Sequence, residues 1–143
     1  MLANHDRVNT VQQLLKVIFG VVPIVAGADK FFNLLTNWAQ YINPQIEPLL
    51  PFGPTSFMHI AGVIEIAAGL IVLSRFTTVG AYVVSAWLAI IAVSLIASGN
   101  YLDVAVRDLV MSAAAYSLAA LSQVRQEQSA PKYEHSNART LTA

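Results

Sequence analysis

The sequence contains no cysteine. Disulfide exchange, thiolate catalysis, zinc–thiolate sites and Cys-ligated iron–sulfur clusters are therefore excluded within this chain, and no cysteine pattern marks a redox compartment. Charge is also scarce. Only 11% of the 143 residues are Asp, Glu, Lys or Arg, and they cancel to a formal net charge of zero. With no basic run and no basic amphipathic helix, nucleic acid is not an expected partner. Proline is nearly confined to one stretch, at Pro44, Pro48, Pro51 and Pro54, which leaves long segments without a breaker. No internal repeat is evident.

What is abundant is apolar surface. Hydrophobic residues make up 56% of the chain and concentrate in residues 1–122, more densely than a soluble core requires. The fold class expected is all-α: an integral membrane, up-down four-helix bundle with an interfacial segment between helices 1 and 2. Four segments reach the length needed to cross about 30 Å of hydrocarbon. They are residues 11–35, with a kink expected at Pro23, then 57–73, 79–98 and 104–122. Pro54-Thr55-Ser56 reads as a capping sequence for the second, Gly99-Asn100 as the stop of the third, and Asp103 as the N-cap of the fourth. The connections around Arg75 and from Gly99 to Leu102 are short, so consecutive helices run antiparallel. Thr36–Ser56 is too interrupted to span. Its Trp38, Tyr41 and Phe52 suit a cap at headgroup level, with a short helix around 37–42. Residues 123–143 are polar and read as a solvated cytoplasmic tail.

Orientation follows from where the cations fall. Arg7, Lys16, Arg75, Arg125, Lys132 and Arg139 share one side, while 36–56 and 99–103 hold neither Lys nor Arg. The positive-inside rule then puts both termini in the cytoplasm. Arg7 and Lys16 ahead of an apolar stretch ending Ala26-Gly27-Ala28 resemble a signal peptide. The following Asp29-Lys30 suits a bundle interior better than a new N-terminus, so retention is expected.

Against this apolar background six residues stand out: Asp29, Lys30, His59, Glu65, Arg107 and Asp108. All fall in the half of the bundle under the cap, with Glu65 about 12 Å into its span. A charge at that depth costs a few kcal/mol and needs a partner. Gly62, Glu65 and Gly69 share a helix face, as do Asp108, Ser112, Ala115 and Ala119, while Gly20, Gly27 and Lys30 mark a close-packing face on the first span. The uncharged third span is expected to be the most exposed to lipid. Three acids face two bases, so one acid is left over. A protonated Glu65 is the simplest settlement, with His59 or a bound cation as the other options. The six are ligand- or proton-binding candidates, arranged as a polar pocket opening outward. The plain alternative is that the charges only fix helix register. His59 equally suits a headgroup contact, no metal site is expected, and the tryptophans and tyrosines read as anchors or packing.

Ala26-Gly27-Ala28-Asp29-Lys30-Phe31, together with Glu65 to Leu73 followed by Arg75 and Gly80, resembles the Gly-x-x-Lys and Glu-x-x-x-Gly-Leu segments of the DoxX-like family. The likeness spans most of 14–121. It implies a four-helix protein of the prokaryotic plasma membrane, of a kind sometimes linked with quinone-coupled oxidation of sulfur compounds beside other redox proteins. The long proline-rich 36–56 segment departs from a simple member. The functions expected are a redox-associated subunit binding a quinone or other amphipathic molecule, a non-catalytic scaffold or accessory subunit, or a small proton or solute carrier using Glu65. No covalent cofactor is expected. Membrane lipid, redox proteins and a second copy of the chain are the partners these readings allow.

Overall fold

A computed structural model describes residues 2–129. Its helices are α1 (Leu2–Asp29), α2 (Pro54–Leu73), α3 (Thr77–Ser98) and α4 (Leu102–Ser129), with two short 3-10 turns, Trp38–Tyr41 and Glu47–Leu49, between α1 and α2. All four helices are long and apolar enough to cross a membrane. The chain is an all-α, multi-pass membrane protein.

The side-chain distribution explains why a membrane is needed. Among the described residues thirteen hydrophobic side chains are buried, and seven of them are alanines. The larger Val17, Val21, Val63, Leu70, Ile90, Val93, Val106 and Val110 face outward. In water such continuous apolar exposure would drive aggregation. In lipid, where tails are as apolar as leucine, association instead depends on close packing by small residues. That is what α1 and α2 do. A Cβ added at Gly62 would lie 2.6 Å from the Gly27 carbonyl oxygen, and one at Gly69 would lie 2.5 Å from that of Gly20. The two backbones touch at two levels, antiparallel, and neither level tolerates a side chain.

The turn between α2 and α3 brings Gly80 against the backbone of Ile71 and Val72. α3 then packs along α4, where Ser85 Oγ donates to the Ser112 carbonyl (2.9 Å) and Ser112 Oγ donates back to that of Ser85 (2.8 Å). Both hydroxyls are thereby satisfied without water. α4 closes onto α1 through Gln12, whose side-chain amide donates to Ser122 Oγ (3.1 Å). The segment after α1 lies across the other end: Tyr41 meets Tyr101 edge-on at 4.8 Å, and Asn43 reaches the Ser94 carbonyl.

Several boundaries differ from the sequence reading. α1 stops at Asp29, not residue 35, so Lys30 follows the helix. It runs without a break through Pro23. α2 starts at Pro54, with Gly53 as its N-cap and proline in the first turn where its missing donor costs nothing. Asp103 sits inside the first turn of α4, where its charge suits the helix dipole, and is not the cap. The helix expected around 37–42 is a 3-10 turn over Trp38–Tyr41. Residues 123–129, read as tail, continue α4. The rest of that tail lies outside the described residues. α3 is not the most exposed helix, because α1 has the smallest buried share.

Candidate functional site

Asp29 organises the approach to the site. Where α1 ends, the Asp29 carboxylate accepts from the backbone N–H of Leu34 (2.9 Å) and Leu35 (3.1 Å) and from the Trp38 indole (2.7 Å). The reversal this requires passes through Asn33 at φ 52, a left-handed conformation that asparagine tolerates. Tethering Trp38 in this way lays its ring over the next residue: Lys30 Nζ is 3.7 Å from the ring centroid.

Lys30 thus leaves the end of α1 with one flank covered by an indole face. Its Cβ lies near Gly62, whose lack of a side chain opens the way inward. The amine ends 2.6 Å from Glu65 Oε2, with both side chains buried. Glu65 is eleven residues into the twenty-residue α2, about 16 Å along its axis and near its middle. Its other oxygen accepts from the Trp87 indole on α3 at 3.3 Å. The ion pair therefore joins three elements, α1, α2 and α3, inside the bundle.

Charge bookkeeping differs from the sequence expectation. Glu65 is the paired acid, and Asp29 is the one satisfied by neutral donors. Asp108 on α4 is buried and pairs with its own neighbour, since Arg107 Nε and Nη2 both reach Asp108 Oδ1 at 3.1 Å. Adjacent helical residues point about 100° apart, so only one of Arg107 and Asp108 can face inward. Asp108 does, while the Arg107 side chain is 62% exposed. Arg107, expected in the interior cluster, instead lies on the surface and curls back. His59 stacks on Phe31 at 4.7 Å between ring centroids, beside the cluster and outside its hydrogen bonds.

Of the six singled-out residues, Lys30 and Glu65 thus form a buried ion pair next to the capped carboxylate of Asp29, Asp108 is buried on α4 and paired with the exposed Arg107, and His59 lies alongside on Phe31. Reading Trp38 and Trp87 as anchors or packing misses their hydrogen bonds to Asp29 and Glu65. A usable signal existed: an indole N–H is donor-only, and this chain places just two of them among acids that need donors. On the side of the pair toward the termini, Phe19, Val72, Val84 and Leu118 pack with Ala68, Ala81, Ala115 and Ala119 into an apolar layer. Beyond that layer lies a polar group the sequence reading did not anticipate, formed by buried Gln12 and Ser122 with Arg125 (Nη1 to Gln12 Oε1, 2.7 Å). Among the described residues, no group of three or more His, Cys, Asp or Glu is placed to hold a metal ion.

Comparison of the chain with protein-family models, with curated proteins and with solved structures finds no match.

Proposed function

We propose that this chain is a small non-catalytic subunit of a membrane complex, in which the Lys30–Glu65 pair fixes how α1, α2 and α3 pack. One observation carries the reading: Lys30 is already engaged, with Glu65 2.6 Å from its amine and Trp38 over its flank. A buried pair completed by further donors has little affinity to spare for a ligand, yet dictates register strongly. The apolar layer of Phe19, Val72 and Leu118 speaks against a conduit from this cluster toward the termini.

The two segments that carry the DoxX-like resemblance face one another, with Gly27 meeting Gly62 and Lys30 meeting Glu65, as the packing role requires. On that resemblance the subunit belongs to a prokaryotic plasma membrane beside redox proteins, with both termini cytoplasmic by the positive-inside rule. A quinone-binding reading is favoured by Trp87. It is half-buried on α3, and its 3.3 Å bond to Glu65 is long enough for a carbonyl arriving from lipid to compete for the indole.

The two readings separate on the double variant Lys30→Met/Glu65→Leu, which replaces the pair by apolar groups of similar size. Native mass spectrometry of gently solubilised membranes should show the variant folded and holding the same companion proteins as the wild type. If the folded variant instead loses a quinone-sized molecule that the wild type retains, the pair is a ligand site and the packing role fails.

A further inference from the structure

α2 and α3 turn back at Ser74–Phe76, while α1 and α4 continue past that level toward Leu2 and Ser129. The two projecting helices and the turn form a recess of about 210 Å3, lined by Lys16, Arg75 and Arg125 together with Gln13, Thr77 and Gln126. Among the described residues, no carboxylate lines it. Three cations from three separate parts of the chain thus face one space, in a chain whose formal net charge is zero.

Their hydrogen bonds leave capacity for a ligand. Lys16 Nζ donates to the Ser74 carbonyl (2.9 Å), which ties α1 to the turn and leaves two of its three donors. Arg125 commits Nη1 to Gln12, which fixes the guanidinium in place while its remaining N–H groups stay available. Arg75 lies against the Phe76 ring and makes no ion pair among the described residues. On α4 the exterior here becomes mostly polar, with the Gln, Arg, Glu and Ser of residues 123–129, while on α1 Val8, Val11 and Leu14 stay exposed among Arg7, Asn9 and Gln13, and Leu73 and Phe76 beside the recess are also exposed and apolar. A cluster of guanidinium and ammonium donors walled by two helices and a turn, with exposed apolar side chains beside it, matches a phosphate ester attached to acyl chains.

We propose that this recess is a binding site for the phosphate of an anionic phospholipid, with Arg75 and Arg125 gripping the phosphate, Lys16 beside them and the acyl chains lying along Leu73 and Phe76. The site is separate from the Lys30–Glu65 cluster and stands or falls independently of it.

The test is native mass spectrometry of the purified full chain in detergent, titrated with phosphatidylglycerol and, separately, phosphatidylcholine. The expected result is one phosphatidylglycerol retained per chain and clear discrimination against phosphatidylcholine. Arg75→Gln should weaken retention roughly fivefold, the worth of one interfacial cation. Arg75→Lys should recover most of it. Because Arg75 donates no hydrogen bond among the described residues, its variants are not expected to disturb folding, which circular dichroism in the same detergent checks. Inorganic phosphate at millimolar concentration should fail to displace the lipid. Equal retention by wild type and a folded Arg75→Gln/Arg125→Gln chain would overturn the site. Displacement by inorganic phosphate would make it a free-anion site and overturn the lipid assignment, as would indifference between the two lipids.

Discussion

Removing the amine of Lys30 while keeping its bulk, as in Lys30→Met, would leave the Glu65 carboxyl buried beside Trp87 without its cation. A charge left in apolar surroundings costs about 3–5 kcal/mol, the range for breaking one side of a buried pair, so a loss of about that size is expected. The double variant Lys30→Met/Glu65→Leu removes both charges and should return to within about 1 kcal/mol of the wild type or exceed it. Unfolding followed by circular dichroism as sodium dodecyl sulfate is titrated into mixed micelles gives these differences. A single variant as stable as the wild type, or a double variant as weak as the single, would show that the pair is not what couples α1 to α2.

Further expectations follow from neighbouring contacts. Trp38→Phe keeps an aromatic face over Lys30 whereas Trp38→Leu removes it, so the leucine variant should be the weaker by about 1 kcal/mol in the same titration; equal stabilities would remove the cation–π contact from the account. Gly62→Ala drives a methyl into the Gly27 carbonyl and should cost about 1–3 kcal/mol or abolish folded yield, while Gly53→Ala, facing open space, should lose at most about 1 kcal/mol of capping. The absence of cysteine allows a clean topology measurement: in intact cells, Asn100→Cys should react with a membrane-impermeant maleimide and Ser129→Cys should not. The reverse pattern would invert the proposed orientation.

Hydropathy made the four spans, the turns around Arg75 and Gly99, and the interrupted 36–56 segment legible, because each depends on local composition. The glycine spacing likewise exposed the faces on which α1 and α2 meet. The end of α1 was not legible. Phe31, Phe32, Leu34 and Leu35 prolong the apolar run, whereas what stops the helix is a carboxylate capturing the Leu34 and Leu35 amides, which hydropathy does not register. The error at α4 has the opposite cause. Gln123 to Ser129 is polar yet free of Gly and Pro, and its Gln, Arg and Glu are good helix formers, so polarity there meant emergence from the membrane and not loss of structure. Proximity along the sequence could place Arg107 and Asp108 at one level, but not decide which of the two turned inward. Nor could counting three acids against two bases identify the unpaired one. That depended on Lys30 reaching back over Gly62 to Glu65, and on an indole from the cap segment arriving to satisfy Asp29.

The most direct measurement is the infrared difference spectrum between the wild type and Glu65→Gln in lipid bilayers at neutral pH. The account predicts that the band lost on substitution is a carboxylate stretch, shifted again when Lys30 is changed to Met. Loss of a protonated-acid carbonyl band from the wild type, with no response to Lys30, would mean that no charged pair joins α1 to α2.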